Sequence, residues 1–215
     1  KLKTGDLDDQ VKGRCVDVSP DESMIAAGFK DGTVRVYDYI QEQVKLKKVW
    51  KCCKEWVSDL KFSPNGKFLA IGSHDNAIYI YTVPELKPKF KMNKHSSYIT
   101  HLDWSEDSLS LHSNCGAYEL LFWDVVSGKQ MTSGATALRD EEWLTWTCVL
   151  GWPVQGIWPP ASDGTDINYT SRSYNKSQDG MYLLATADDF STVKIFNYPC
   201  VNKGSQYVEG RGHSS

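Results

Sequence analysis

A segment of about 43 residues recurs four times along this 215-residue chain, and no other feature limits the possible folds as strongly. The copy that begins at Cys15 reads Cys-Val-Asp-Val-Ser-Pro-Asp, and the copy that begins at Ser58 reads Ser-Asp-Leu-Lys-Phe-Ser-Pro-Asn. The serines of the first three copies, Ser19, Ser63 and Ser105, are 44 and 42 residues apart. The four copies end at Asp38, Thr82, Asp124 and Asn197. The last step spans 73 residues, so about 30 additional residues separate the third copy from the fourth.

Each copy has the alternation of apolar and polar residues that is typical of β-strands. Val34 and Val36 lie on one face of the first copy, and residues 77–81 are apolar on both faces, as expected for a strand between two sheets. Ser-Pro-Asp, Ser-Pro-Asn-Gly and Asp31-Gly32 favour tight turns between such strands. No stretch of helical length has a 3.6-residue period. A repeat of 42 to 44 residues made of short strands predicts an all-β fold, the β-propeller, with one blade per copy.

The repeats resemble those of the WD-repeat family. Trp123-Asp124 and Tyr37-Asp38 match the pair that closes a repeat, and residues 62–66 read Phe-Ser-Pro-Asn-Gly. Asp31 and Asp75 stand seven residues before the repeat ends, where the family has its turn aspartate. His95 follows a lysine instead of a glycine, and Ala117 occupies the third turn position. The resemblance therefore implies structural roles for the matching residues, with incomplete His–Asp hydrogen bonds.

The repeat length also sets the domain organisation. Seven blades of this size would need about 300 residues, so the chain is expected to hold about four to five blades of an incomplete, seven-bladed propeller. The predicted repeats span residues 13–50, 55–92, 95–131 and 167–208, with an insertion at 132–166 and the start of a further repeat at 212–215. Expressed alone, such a chain is expected to expose two unpaired blade faces and to aggregate.

The insertion at residues 132–166 is rich in tryptophan. Its four tryptophans are Trp143, Trp146, Trp152 and Trp158. An apolar, aromatic segment of this kind is expected to pack on the sheets as a strand and an ordered loop. The alternative is an exposed aromatic groove that binds a peptide.

This region resembles the echinoderm microtubule-associated protein-like family. The resemblance rests on Trp-Thr-Cys-Val-Leu-Gly at residues 146–151, on Ser-Asp-Gly-Thr-Asp-Ile-Asn at 162–168 and on Asp-Asp-Phe at 188–190, and it extends from about residue 13 to the end. It implies a fragment of the later propeller of a microtubule-associated protein, located in the cytoplasm on the cytoskeleton. Tubulin is the implied partner, although no tubulin-contacting residue can be transferred individually.

Composition excludes several function classes. The net charge of −3 provides no general basic field for nucleic acid or a membrane surface, and no apolar stretch reaches membrane-spanning length. The six cysteines include no C-x-x-C pair, which favours reduced cytosolic thiols over disulfides or zinc. The chain contains none of the common enzyme motifs, so no enzyme, cofactor or metal site is predicted. His101 and Asp103 would need a third ligand to bind a metal, and Asp188-Asp189 fits a turn better than acid–base catalysis.

Two lysine-rich segments are the most distinctive local charges. They follow the closing strands of the first two repeats, where a blade has its outermost strand. The candidate partner-binding residues are Lys45, Lys47, Lys48, Lys51, Lys89 and Lys91. A basic strip would suit the acidic tails of tubulin. The competing interpretation is that lysines keep exposed strand edges from pairing with other chains.

The leading prediction is therefore a non-enzymatic platform that binds tubulin or microtubules. The alternative is a generic WD-repeat scaffold that binds peptides of signalling proteins, through a propeller face, without contacting tubulin. Fold alone does not distinguish the two.

Overall fold

The computed structural model describes residues 10–212, which form four antiparallel sheets of four strands each. The first sheet contains β1 (Gly13–Val18), β2 (Met24–Phe29), β3 (Thr33–Ile40) and β4 (Gln43–Lys51). The second contains β5 (Val57–Phe62), β6 (Phe68–Ser73), β7 (Ile78–Thr82) and β8 (Pro88–Met92). The third contains β9 (Ile99–Trp104), β10 (Ser110–Cys115), β11 (Leu120–Asp124) and β12 (Lys129–Gln130). The fourth contains β13 (Ile167–Arg172), β14 (Tyr182–Asp188), β15 (Thr192–Tyr198) and β16 (Tyr207–Arg211).

The prediction of an all-β WD-repeat propeller is confirmed, and the chain forms part of one. Each sheet is a blade whose strands follow one another in chain order. Strand β1 lies beside β5, and β5 lies beside β9. The first strands of the first three sheets are therefore neighbours on the inner side of the arc, and the last strands form its outer edge.

The repeated serines close the hairpin between the first and second strands of their blades. Ser19 Oγ accepts a hydrogen bond from the Met24 backbone N–H at 2.9 Å and donates to Asp21 at 2.6 Å. Ser63 Oγ bonds Asn65 at 2.8 Å and accepts from the Phe68 N–H at 2.9 Å. The same pattern recurs at Ser105. A hydroxyl that both donates and accepts satisfies two turn groups at once, which explains why serine keeps this place in the repeat.

Two apolar clusters hold the first three sheets together. The cluster between the first and second sheets includes Val34, Val36, Val57, Leu60 and Ile71, which are all fully buried. The cluster between the second and third sheets includes Ile78, Ile80, Ile99, Leu102 and Trp104. Burial of each such side chain stabilises the fold by about 1.5–3 kcal/mol. Apolar packing of one sheet on the next therefore holds the first three sheets together.

The expectation of an inserted strand is wrong. Residues 132–166 form the short helix α1 (Gly134–Ala137), a 3-10 helix (Trp152–Ile157) and ordered loops. One isolated bridge joins Ser105 to Trp143. The prolines and glycines of this segment interrupt strand pairing, so its aromatic side chains reach the core from a loop.

Both outer faces of the arc expose apolar side chains. On β1, Val16 and Val18 are 64% and 47% exposed, while their neighbours Cys15 and Asp17 face the second sheet. On β15, Val193 and Ile195 are 37% and 41% exposed. The alternation of strand side chains thus leaves one apolar face open at each end of the arc.

Two further expectations from the sequence concern the repeat predicted at the C-terminal end and membrane-spanning segments. Residues 213–215 of the predicted further repeat at 212–215 lie outside the described range 10–212. Within that range, no helix has the length and apolar character needed to span a membrane.

Candidate interaction surfaces

The predicted lysine strip lies on β4 and β8, at the outer edge of the first two sheets. Lys45, Lys47 and Lys51 are exposed on β4, and Lys89 and Lys91 are exposed on β8. The strip also includes Lys48, which is half-buried.

Two of these lysines connect neighbouring blades. Lys48 Nζ donates a hydrogen bond of 2.6 Å to the Leu86 carbonyl, and Lys89 Nζ donates one of 3.4 Å to the Val125 carbonyl. Leu86 and Val125 lie in the hairpins between the third and fourth strands of the next sheet. Lys48 and Lys89 therefore have a structural role between blades, in addition to any role toward a partner.

The other strip lysines point to the surface. Lys47 forms an ion pair of 2.8 Å with Asp38, and Lys51 donates to the Asp31 carbonyl. The Lys91 ammonium lies 5.0 Å from the ring centre of Tyr79. Within residues 10–212, Lys45 makes no side-chain hydrogen bond or ion pair. Lys45, Lys47, Lys51 and Lys91 are thus the members whose ammonium groups are not bonded to a neighbouring blade.

An aromatic row is formed by Trp56, His74 and Tyr98, which lie in the loops that enter β5, β7 and β9. The rings of Trp56 and His74 stack at 4.9 Å, and those of His74 and Tyr98 stack at 4.6 Å. The cations of Arg14 and Lys30 lie 5.0 and 4.4 Å from the Trp56 ring centre. Burial and the nearby Arg14 charge lower the pKa of His74.

Sequence reasoning missed this aromatic row, although a signal was present. Trp56 and Tyr98 are 42 residues apart, the same step that separates Ser63 from Ser105. Two aromatic residues at one phase of a repeat occupy equivalent places in adjacent blades. Tyr98 is 41% exposed, so a ligand can reach the row.

The third blade contains a continuous polar network that joins Trp123 to Glu119. Trp123 Nε1 donates to Ser113 Oγ at 2.8 Å, and Ser113 Oγ lies 2.6 Å from His95 Nε2. His95 Nδ1 lies 3.1 Å from Glu119 Oε2. Ala117 occupies the position of the turn aspartate, so this turn offers His95 no aspartate. Glu119, two residues further along, contacts His95 in place of an aspartate.

Burial and hydrogen bonds set the charge state of this network. Burial lowers the pKa of His95, which keeps the imidazole neutral near pH 7. The backbone N–H of Ser96 is the main cause that holds the pKa of Glu119 at about 2. A carboxylate therefore faces a neutral imidazole across the 3.1 Å contact.

The predicted structural aspartates Asp31 and Asp75 lie in turns, and Asp124 is the last residue of β11. Asp31 accepts hydrogen bonds from the Thr33 N–H at 2.9 Å and its hydroxyl at 2.7 Å, and Asp75 accepts one from the Tyr79 hydroxyl at 2.7 Å. Asp124 accepts from the Val126 N–H at 2.8 Å. Asp188, the last residue of β14, bonds Lys194 on β15 at 2.7 Å.

Carboxylates on the inner strands bond the next blade. Asp17 accepts from the Phe62 N–H at 2.7 Å, and Asp59 accepts from the Leu102 N–H at 2.9 Å. Asp103 accepts from the Thr145 hydroxyl at 2.7 Å and from the Trp146 N–H. Burial raises the pKa of Asp59 to about 6. These carboxylates join blades through backbone donors, which accounts for their position on the inner strands.

The structure separates the residues that were considered as a metal site on β9. His101 Nε2 donates to the Asn168 carbonyl at 2.8 Å, and Asp103 bonds residues 145 and 146. His95 belongs to the polar network described above. His101 and Asp103 therefore each connect β9 to residues beyond the third blade.

The four insertion tryptophans differ in their surroundings. Trp143 and Trp146 are 2% and 3% exposed, and the His112 ring stacks on Trp143 at 3.7 Å. Trp158 is half-buried, and its indole N–H donates to the Val149 carbonyl at 3.2 Å. Trp152 is 46% exposed beneath the Arg139 guanidinium, 5.0 Å away, so the expectation that it packs in the core is wrong. Since only Trp152 is exposed, these tryptophans do not form an exposed groove.

Comparison with known proteins shows the family to which this chain belongs. The sequence profile described as the second beta-propeller of echinoderm microtubule-associated protein matches residues 4–215. The chain belongs to the echinoderm microtubule-associated protein family. Over 200 residues it is 44% identical to the 77 kDa echinoderm microtubule-associated protein of Lytechinus variegatus, covering 91% of the chain and 29% of that protein. Over 207 residues it is 41% identical to the human echinoderm microtubule-associated protein-like 4, covering 94% of the chain and 20% of that protein.

Solved structures agree on the fold. The WD40 repeats of RRP9 superpose with a TM-score of 0.57 at 17% identity, covering 96% of the chain and 53% of that structure. This likeness concerns the fold alone. The present chain spans less than a third of the length of these two curated relatives.

Proposed function

We propose that this chain is part of a microtubule-associated protein and acts as a non-enzymatic platform that binds tubulin. The observation that carries the proposal is the family match over residues 4–215, since relatives at 41–44% identity are named microtubule-associated. The proposal places the protein in the cytoplasm, on microtubules.

The lysine strip supports a charged contact with an acidic partner. Lys45, Lys47 and Lys91 project from adjacent outer strands and bond no neighbouring blade. Their attraction to an acidic polymer would weaken with rising salt, because exposed charges are screened beyond about 8 Å at physiological ionic strength.

Co-sedimentation of the full-length protein with polymerised tubulin tests the proposal. The variant carries Lys45→Glu, Lys47→Glu and Lys91→Glu, which leaves the interblade contacts of Lys48 and Lys89 intact. The matched control carries Lys67→Glu, Lys176→Glu and Lys203→Glu, which are exposed lysines outside the strip. We expect affinity at least about tenfold lower for the strip variant, equivalent to about 1.4 kcal/mol, and little change for the control beyond the shared change in net charge. Equal binding by both variants would rule out the strip, and absence of binding by the unmodified protein would rule out the function.

The aromatic row supports the second candidate, a scaffold that binds peptides of signalling proteins. Stacked rings of Trp56, His74 and Tyr98 beside Arg14 and Lys30 suit an acidic peptide with apolar side chains. Trp56→Ala with Tyr98→Ala would abolish such binding and leave microtubule co-sedimentation unchanged. Loss of co-sedimentation in this double variant would instead assign tubulin to the row.

A further inference from the structure

Three metal-binding side chains converge at one end of the third blade. They are His95, in the loop before β9, Cys115, at the end of β10, and Glu119, just before β11. One donor atom from each lies within 4.8 Å of the other two. Glu119 Oε2 is 3.1 Å from His95 Nδ1 and 3.1 Å from Cys115 Sγ. The three side chains thus come from separate segments and point at a common centre.

Two of the three separations, those from Glu119 Oε2, are close to the separations that zinc imposes, and the third is within 4.8 Å. Bond lengths of about 2.0–2.3 Å to nitrogen, oxygen and sulfur place the ligand atoms of a tetrahedral zinc about 3.3–3.6 Å apart. The two 3.1 Å contacts would need to widen by only a few tenths of an ångström. A thiolate with an imidazole selects zinc over magnesium or calcium, which prefer oxygen ligands.

The surroundings prepare the histidine for this role. Ser113 Oγ lies 2.6 Å from His95 Nε2 and is itself fixed by the Trp123 indole N–H at 2.8 Å. A hydrogen bond at one imidazole nitrogen orients the ring and leaves the other nitrogen for the metal. The Ala117 N–H donates to Cys115 Sγ at 3.4 Å, a contact that favours the thiolate. His95 is fully buried, whereas the Glu119 side chain is 32% exposed, so solvent can reach the open side.

We propose that His95 Nδ1, Cys115 Sγ and Glu119 Oε2 bind a zinc ion whose fourth ligand is water. On binding, the Cys115 thiol releases one proton to solvent. The proton on His95 moves from Nδ1 to Nε2, where it is donated to Ser113 Oγ. The metal replaces two hydrogen bonds to Glu119 and joins the β10–β11 turn to the segment that leads into β9.

The equivalent positions of the second blade do not carry the same three ligands, so the proposed zinc site is found in the third blade and not in the second. The residues 42 positions earlier are Cys53, Ser73 and Ala77, which do not form this ligand set. Ser73 N–H bonds the Ala77 carbonyl at 3.1 Å, as Cys115 N–H bonds the Glu119 carbonyl at 3.3 Å. Serine is therefore compatible with the backbone at this turn, and Cys115→Ser is expected to fold.

Cobalt substitution tests the site in the full-length protein, with Co²⁺ as a spectroscopic probe. We expect a thiolate-to-cobalt charge-transfer band and tetrahedral d–d bands that saturate at one equivalent for this site and disappear when Zn²⁺ is added. Cys115→Ser should remove the charge-transfer band, while the matched control Cys200→Ser should keep it. Ser113→Ala should weaken Zn²⁺ binding about 10–100-fold by releasing the His95 ring.

A second measurement covers the case of a variant that folds poorly. Zn²⁺ should raise the melting temperature of the unmodified protein and of Cys200→Ser, because a ligand that binds only the folded state stabilises it. No charge-transfer band in the unmodified protein, or an identical band in folded Cys115→Ser, would overturn the proposal. An unchanged melting temperature in saturating Zn²⁺ would also overturn it.

Discussion

The contact between the first and second blades differs in kind from the contact between the third and fourth. In the first, β1 lies directly beside β5, and Val34, Val57 and Leu60 pack between the sheets. In the second, residues 144–148, the interblade segment, lie between β9 and β13. This segment bonds Trp104 and Leu102 on one side, and Arg172 and Thr170 on the other.

The difference shows how an insertion can be absorbed into a repeat architecture. Apolar strands can pack sheet on sheet without other groups, but a loop placed between sheets brings backbone polar groups that must be satisfied. Asp103 meets this need, since its carboxylate accepts from the Thr145 and Trp146 backbone N–H groups and from the Thr145 hydroxyl. The insertion thus connects the fourth blade to the third.

Removing a buried tryptophan of the insertion should have the largest effect. Trp143→Ala empties a site that is 2% exposed and stacked on His112, so we expect a loss of about 3–5 kcal/mol in the free energy of unfolding. Trp152→Ala, at a site 46% exposed, should cost less than about 1 kcal/mol. Denaturant unfolding measures both. Equal losses would mean that the core of the insertion does not hold this interface.

Removing an inner-strand carboxylate should destabilise the protein more at the third–fourth interface than at the first–second interface. Asp103→Ala leaves several buried donors without an acceptor and should cost about 3 kcal/mol or more. Asp17→Ala at the first interface removes the acceptor of one donor, the Phe62 N–H, and should cost about 1 kcal/mol. Denaturant midpoints compare the pair, and a larger loss at Asp17 would contradict the distinction.

The third–fourth interface should also be the more sensitive to acid. His101 donates through Nε2 to Asn168, and burial lowers its pKa to about 4, below the ordinary value of 6.5. A histidine whose pKa is depressed by folding contributes stability above the unfolded pKa, and that stability is lost as the pH falls from about 6.5 to about 4. Between pH 7 and pH 5 the loss due to His101 is about 2 kcal/mol.

Replacing His101 should therefore flatten the pH dependence of stability. We expect His101→Gln to lose about 2 kcal/mol less than the unmodified protein between pH 7 and pH 5, measured by denaturant unfolding at each pH. His74→Gln, at a more accessible position of the aromatic row, is the control and should change the slope less. An unchanged slope in His101→Gln would exclude this titration.

The smallest effect is expected at the lysines between blades. Lys48→Ala removes a hydrogen bond of 2.6 Å to the Leu86 carbonyl at the first–second interface and should cost about 0.5–1.5 kcal/mol. Lys45→Ala, on the same strand without such a contact, should be within about 0.5 kcal/mol of the unmodified protein. Thermal unfolding distinguishes them, and identical melting temperatures would mean that Lys48 acts only on the surface.

Sequence patterns predicted the blades because the repeat is local. The spacing of Ser19, Ser63 and Ser105 marks the same hairpin in three blades, and each hairpin depends on residues within five positions of its serine. The contacts of Lys48 and of the inner-strand carboxylates join different blades or segments, which no local pattern specifies. The partner of Lys48 lies 38 residues away, and the donors to Asp103 lie 42 and 43 residues away.

Residue spacing missed the acidic partner of His95 and the loop conformation of the insertion for related reasons. Glu119 stands two residues outside the expected turn position, so a motif based on residue spacing does not detect its longer side chain. An aromatic run with glycine and proline fits either a strand or a packed loop, and only the bonding of the interblade segment to Asp103 decides between them.

Native-state hydrogen exchange of Asp103→Ala tests most directly whether the insertion holds the fourth blade. The account predicts that amides of the interblade segment and of β13, β14 and β15 lose protection, because their connection to β9 is broken. Amides of β2, β3 and β6 should keep the protection that they have in the unmodified protein. A uniform loss across all four blades, or a fourth blade that stays protected, would contradict it.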